Sequence, residues 1–497
     1  MSIAVSASST TKRVVIHEGV PLEAVRGVSE LIERYYIIPY SKYVGEYRKS
    51  EFQNSLEYSW IFRNFPLDGR ETSVSVKLLI NQQSIELEFA DLNSNDPLQM
   101  KVCSRIIDDV QNIVWSYFQH LKLSSLYFVI GEQHDESQSE APNHGGMGRS
   151  GVLKKIFSGN MTNTFLLFMV FSFVLFFLIG VYTIFVMIVF QFIFLIFSDK
   201  IALNLGNVRP SREHPLVTII SIRSSPLTLK DLKKYGKKIL PDVRSQIVSA
   251  VGEAPTTVAE RSRVKSTILE ILSRYGIHAS MNDIEIRTRN VFSMVERVAT
   301  KFGQKTPNIV IANSVVSNAS ATGISKNHST ITITAGALED LNESELESVV
   351  GHELGHIKGH DPLILFGVTS FEFFGRFYIW YPLLISLGFL YFIFAFGAIF
   401  SIGKVLETRA DTESALLLGT PGSMASSLTK IGLRQLYHEK YSPGSKIMAW
   451  FQFDPHPPIY FRVARMSEFA TSEERSRVRH VSLVSLRDCI VGFLSAF

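Results

Sequence analysis

The sequence predicts an α+β chain carrying transmembrane α-helical hairpins, with a separate small α+β domain at its N-terminal end. Three observations carry this. Two long apolar stretches interrupt a sequence of otherwise soluble composition. Its 497 residues leave room for more than one hydrophobic core. A His-Glu-x-x-His motif between the stretches marks a metal-binding helix.

Hydrophobic residues make up 46% of the chain and the mean hydropathy is +0.15, with most of the 36 Phe crowded into the apolar stretches. A net charge of +4 is too mild for nucleic acid as the main partner. Cys103 and Cys489 form neither a disulfide framework nor a Cys-x-x-Cys pair, so a metal must sit on His and carboxylate. The Ser/Thr-rich start, through Arg13, has no apolar core of signal-peptide length, and secretion by a cleaved leader is not expected.

Residues 1–130 read as the α+β N-terminal domain. Pro21 to Tyr36 has helical spacing, and Met100 to Leu121 is a longer amphipathic helix. Ser73 to Ile80 and Ser84 to Phe89 alternate as strands about an Asn81-Gln82-Gln83 turn, and Leu126 to Ile130 is a further strand. The domain's role is not legible. Residues 131–160 have linker composition, and His134 and His144 there read as solvated loop histidines.

Residues 161–198 form the first hairpin. Met161 to Phe197 carries no charge, and as one helix it would run roughly 55 Å against a hydrocarbon core of about 30 Å. Two spans turning near Gly180 fit better. Lys154 and Lys155 before the stretch, with Lys200, Arg209 and Arg212 after it, put both ends on the cytoplasmic side. Residues 199–361 are the first part of a catalytic domain. Within it, Lys230 to Lys238 reads as a solvated basic face near the membrane.

In His352-Glu353-Leu354-Gly355-His356, positions four apart share one helix face, about 6 Å apart along the axis. His352 and His356 therefore converge on one metal, and zinc is the ion such a pair holds. Glu353 lies beside the open position and can take a proton from water there. Asn342 with Glu345 is the expected N-cap pair, and Gly359 with Pro362 ends the helix. Pro362 occupies the place of a third histidine in one class of such motifs. His360 lies about 12 Å along the axis from His352, too far to share the metal. A carboxylate on a later helix remains. Glu407 is the best placed, with Asp411 one turn on to fix a ligand ring; a solvated acidic face is the alternative reading of the same residues.

These motifs resemble the HtpX and CAAX-prenyl-protease family of membrane gluzincins. The resemblance covers about residues 160–470. It runs through Asn318-Ala319-Ser320-Ala321-Thr322-Gly323, the Gly351-His352-Glu353-Leu354-Gly355-His356 helix, Asp361, Glu407-x-x-Ala410-Asp411, and His456-Pro457-Pro458 with Arg462. Ser320 stands where HtpX-like sequences usually carry Phe. The resemblance implies a zincin-like α+β catalytic domain with one zinc on His352, His356 and Glu407. It implies Glu353 as base, Asp411 behind a ligand histidine, and His456 and Arg462 stabilising an oxyanion or anchoring substrate backbone. It also implies that Asn318 to Gly323 forms a sheet edge on which an extended substrate adds as a strand.

If Glu407 joins His352 on one metal, the apolar residues 362–404 between them must cross a membrane an even number of times. An aromatic turn at Tyr378, Trp380, Tyr381 and Pro382 divides them into a second hairpin, with residues 405–497 completing the catalytic domain. The expected protein is a multi-pass plasma-membrane endopeptidase with its catalytic domain cytoplasmic. Its partners are protein substrates and the lipid bilayer, in a quality-control role. A CAAX-type processing peptidase and a non-catalytic zinc-stabilised scaffold or sensor are the alternatives. The sequence sets no oligomeric state.

Overall fold

The structure, a computed structural model, describes residues 11–131, 161–223, 242–471 and 481–497, apart from 19–21, 53–54, 68–69, 91, 93–95, 124, 207, 252–254, 256, 278, 326 and 443. His134, His144 and the basic run from Lys230 to Lys238 lie outside the described residues. The fold mixes helices and sheets in two units. One holds the chain through Leu123 with Leu433–His438, and the other holds Ser124–Gly432 and Glu439–Phe497.

In the first unit, β1 (Lys12–Glu18), β2 (Val44–Phe52), β3 (Ser55–Leu67), β4 (Arg70–Asn81) and β5 (Ser84–Ala90) form an antiparallel sheet ordered β1-β5-β4-β3-β2. Alternate residues point to one face, so Tyr58, Trp60 and Phe62 of β3 and Val76, Leu78 and Ile80 of β4 are buried together. Helices α1 (Leu22–Ile32) and α2 (Pro97–Leu123) cover that face with Val25, Val28, Val102, Ile106 and Val110. The expected turn is closed by Asn81, whose Oδ1 accepts the N–H groups of Gln83 and Ser84 at 2.8 and 2.7 Å.

The boundary expected at residue 130 falls at Leu123 instead. Strand β6 (Ser125–Gly131) belongs to the second unit, where it pairs antiparallel with β7 (Leu216–Arg223), which pairs in turn with β8 (Ile284–Asn290). The reason lies in its side chains. All of Leu126 to Ile130 are apolar and buried, so the strand needs an apolar layer on both faces. Leu126, Phe128 and Ile130 meet Ile268 and Leu272 of α6 (Val258–Arg274) on one side, where the short helix α5 over 242–251 also packs. Tyr127 and Val129 meet the core around α7 (Val291–Lys301) on the other.

A second sheet, ordered β10-β11-β9, holds β9 (Asn308–Ala312), β10 (Ala319–Ser325) and β11 (His328–Thr334), with β11 parallel to β9 and antiparallel to β10. Ile331 and Ile333 of β11 are fully buried, and β10 is one edge of the sheet. The short α8 (Ala335–Asp340) leads to the motif helix α9 (Glu343–Gly359). Its start is a reciprocal cap: Asn342 Oδ1 accepts from Glu345 N at 2.9 Å, and Glu345 Oε2 accepts from Asn342 N at 2.8 Å.

The apolar stretches lie in this unit. Helix α3 (Met161–Ile179) meets α4 (Thr183–Leu205) at a one-turn break, where Gly180 takes φ +61°. Length and apolarity alone make Val170–Leu203 one 34-residue span. Yet the Phe171 and Phe190 rings are 6.0 Å apart, where a straight helix would separate them by about 28 Å, so the stretch folds back on itself. Helix α10 (Asp361–Tyr378) bends by 80° into α11 (Tyr381–Leu387), and α12 (Phe389–Leu418) follows. Phe176 stacks on Phe377 and Phe192 meets Phe366, which joins the two apolar pairs. Between α10 and α12, Trp380 Nε1 donates to Tyr391 Oη (2.6 Å), and Tyr391 donates to Glu372 (2.9 Å). Arg376 gives Nε and an Nη to the same carboxylate. Polar groups in an apolar helix pair thus satisfy one another. By length and composition alone, the described residues offer two candidate membrane spans, Val170–Leu203, which the break at Gly180 divides, and Phe389–Leu418, or three if the bent pair counts as one. The remaining helices are α13 (Pro421–Tyr441), α14 (Ser445–Phe451), α15 (Ile459–Thr471) and α16 (Val481–Leu494).

Candidate metal centre

Helices α9 and α12 lie against each other because glycines clear the contact. A Cβ on Gly351 would stand 2.6 Å from Ser414 Oγ, and one on Gly355 would stand 3.2 Å from the Ala410 backbone. This brings Glu407 to the motif face. His352 Nε2 and His356 Nε2 are 3.1 Å apart, and Glu407 lies 3.2 Å from the first and 3.4 Å from the second. Among the described residues this is the one group of three or more such side chains with ligand atoms within 4.8 Å of one another.

The other nitrogen of each ring faces a carboxylate. His356 Nδ1 is 2.7 Å from Asp361 Oδ2. His352 Nδ1 is 2.9 Å from Asp411 Oδ1, close but off the line of a hydrogen bond. With the ring protons drawn to Nδ1, both Nε2 atoms present lone pairs. Glu407 Oε2, buried with no hydrogen-bond partner, presents another. In the neutral form of both rings, three electron-pair donors therefore converge, an arrangement that a bound cation satisfies. Two imidazoles and one carboxylate fit zinc with a position left open.

Each carboxylate is backed by an arginine. Arg462 grips Asp411 through Nε (2.8 Å) and Nη2 (2.7 Å). Arg409 Nη2 lies 2.8 and 2.7 Å from the two oxygens of Asp361 and 3.1 Å from Gly355 O. Gly359 makes room for that guanidinium, since a Cβ there would fall 1.7 Å from Nη1. Burial would lower the His356 pKa, but Glu407 and Asp361 raise it well above the ordinary value. For His352, burial likewise lowers and Asp411 with Glu407 raises, the net direction being up. Protons and metal thus compete for this shell.

Glu353, on α9 beside His352, is buried. His456 is half-exposed, with Nε2 3.6 Å from Glu407 Oε1 and Nδ1 2.7 Å from Asp454 Oδ1. Arg462, expected to meet substrate, is buried behind Asp411 and stands 3.6 Å from Glu407. His360 caps α9 in the left-handed region at φ +55°, its ring 3.5 Å from Ile324 O of β10 and outside the metal group. Asn318 precedes β10, and Ala319, Ser320, Ala321, Thr322 and Gly323 lie along that edge strand. Sequence reasoning missed Arg409 and Asp454. Neither belongs to the motif pattern, and only their contacts in the fold, Arg409 with Asp361 and Asp454 with His456, reveal them.

Residues 285–470 match the model of peptidase family M48. Those residues are a metallopeptidase domain of family M48. The chain is 28% identical over 225 residues to a protease HtpX homolog of Bacteroides fragilis, covering 36% of this chain and 69% of that one. It is 32% identical over 177 residues to a homolog from Moorella thermoacetica (31% and 58%), and 28% over 208 residues to one from Pyrococcus furiosus (36% and 72%). The crystal structure of S. mikatae Ste24p aligns at 13% identity and TM-score 0.24, over 48% of this chain and 64% of that one. The M48 match spans the metal helix α9, Glu407 and the His456 loop. Of the first unit, the chain through Leu123 lies outside it and Leu433–His438 lies within it.

Proposed function

We propose that this M48 metallopeptidase is a multi-pass plasma-membrane endopeptidase. It holds one zinc per chain in a zincin-like domain at the cytoplasmic face and cleaves membrane or misfolded proteins there. The observation that carries the reading is the convergence of His352, His356 and Glu407 on α9 and α12, two helices that directly adjoin the apolar pair. Basic residues at both ends of the first apolar stretch and none at its turn favour cytoplasmic ends.

Bound zinc supplies Lewis acidity toward the scissile carbonyl and acidifies a water. Glu353 takes the proton of the attacking water and returns it to the leaving amine. His456, its ring held by Asp454, donates from Nε2 to the developing oxyanion. Asp361 and Asp411, each braced by an arginine, fix the ligand rings. Substrate backbone pairs along the edge strand β10, which makes little demand on side chains.

The test compares wild type and Glu353→Gln, purified in detergent with zinc, on an unfolded substrate such as casein. Cleavage by wild type alone supports the proposal; equal cleavage by both removes it. Zinc content near zero in Glu407→Ala supports the third ligand. Cysteines placed at Gly180 and Trp380 and labelled from the cytoplasmic side would contradict the topology.

A further inference from the structure

Helix α16 is built inside out. Its packed face, against α12, carries small residues at Ser485, Cys489 and Gly492. Cys489 Sγ lies 3.0 Å from Thr408 Oγ1 and 3.7 Å from Lys404 O, and a Cβ on Gly492 would fall 2.4 Å from the Phe461 ring. The outward face carries large apolar residues instead: Leu483 and Leu494 are 65% and 64% exposed, with Leu486, Ile490 and Val491 beside them. A helix facing water has the opposite arrangement. Small residues inward and large apolar residues outward are what a helix needs when its outer neighbour is hydrocarbon.

The face does not stand alone. Met448 and Phe451 of α14 and Phe453 just beyond are also exposed. Phe451 meets Phe493 and Phe497, while Phe453 packs on Phe396 and Phe400 in the charge-free part of α12. The first charge after that part, Lys404, turns inward to Gln452 O (3.1 Å) and Asp454 O (2.7 Å), so it does not interrupt the outer surface. The apolar surface of α12 therefore continues onto α14 and α16.

We infer that α16 and the 448–453 segment are seated in the lipid of the bilayer that α12 enters, forming a second lipid-facing surface beside the metal centre. This rests on the reading of α12 as a membrane span. At about 21 Å, α16 is too short to cross a core of about 30 Å, so it dips into one leaflet. The exposed Arg487 is the outward charge on its face and sits at the headgroups. The segment from Gln452 to His456 then runs from the lipid-seated Phe453 to the cleft, and the bilayer sets the height at which His456 meets a substrate.

The test reconstitutes the full chain in nanodiscs containing a phospholipid with a diazirine on its acyl chain, and maps adducts by mass spectrometry. Adducts on 486–497 and 448–453, at yields comparable to those on 389–395, support the inference. Adducts on 389–395 with none on 486–497 overturn it while leaving the span intact. Protein cross-links from α16 to a second copy or another chain, in place of lipid adducts, also overturn it. Absence of adducts on 389–395 as well defeats the underlying reading of α12. A second measurement avoids disruptive variants. Spin labels on Leu494→Cys and on Ser467→Cys, an exposed site on α15, are compared for collision with oxygen and with a water-soluble nickel chelate; Cys103 and Cys489 are buried. Severalfold higher oxygen access at 494, with the reverse at 467, is expected; nickel access at 494 equal to that at 467 overturns the inference.

Discussion

Asp361→Asn is the sharpest probe of the metal centre. Asp361 is 3% exposed, takes Arg409 on both oxygens at 2.8 and 2.7 Å, and holds His356 Nδ1 at 2.7 Å. The amide keeps the volume and one acceptor but removes the charge, leaving the buried Arg409 guanidinium uncompensated. Breaking a buried pair from one side costs about 3–5 kcal/mol of folding stability. Weakening the group behind a ligand histidine costs about 10–100-fold in metal affinity, or about 1.4–2.7 kcal/mol. Thermal unfolding of the metal-free protein in detergent reads the first effect, and competition with a zinc chelator at neutral pH reads the second. Adding Arg409→Met removes the stranded charge, so it should restore part of the stability without restoring zinc affinity, a non-additivity that a double-mutant cycle measures. Zinc affinity within about twofold of wild type, with unchanged unfolding, would refute the claim that this relay orients His356.

Three further outcomes are expected. Gly351→Leu places a side chain where even a Cβ stands 2.6 Å from Ser414 Oγ; it should part α9 from α12, costing about 1–3 kcal/mol and most of the bound zinc, as read by metal content. For Glu345, burial raises the pKa, but Lys430, Ser426 and the Asn342 N–H outweigh it and the net direction is down. A lowered folded-state pKa stabilises above the unfolded carboxylate value of about 4.3 and the gain is lost as pH falls through the folded value. The melting-temperature gap between wild type and Glu345→Gln should therefore be widest at neutral pH and close in acid. Tyr391→Phe strands Trp380 Nε1–H in apolar surroundings and should cost about 1–3 kcal/mol, measured by unfolding in detergent.

The metal helix was legible because its information is local. Asn342, Glu345, His352 and His356 act within a few turns of one helix, where spacing fixes which groups share a face. The strand pair at Asn81 was legible for the same reason. Strands β2 and β3 passed unremarked, although Tyr58, Trp60 and Phe62 carry the period of two. Strand β6 was legible as a strand, but its partner β7 lies across residues 132–215, a pairing that local pattern does not encode.

By itself the sequence determined two of the three side chains that gather at the metal centre, His352 and His356, the helix that bears them, the place of Glu353 beside them and the two apolar stretches. Glu407 was only the best of the remaining carboxylates. The tertiary structure alone decided that Glu407 reaches both rings, that Arg462 grips Asp411, that Arg409 braces Asp361, and that α16 shows its large apolar side outward. The physical reason is range: helix periodicity fixes neighbours three or four residues apart, whereas contacts between helices depend on which small residues let the backbones close, as Gly351, Gly355 and Gly359 do here.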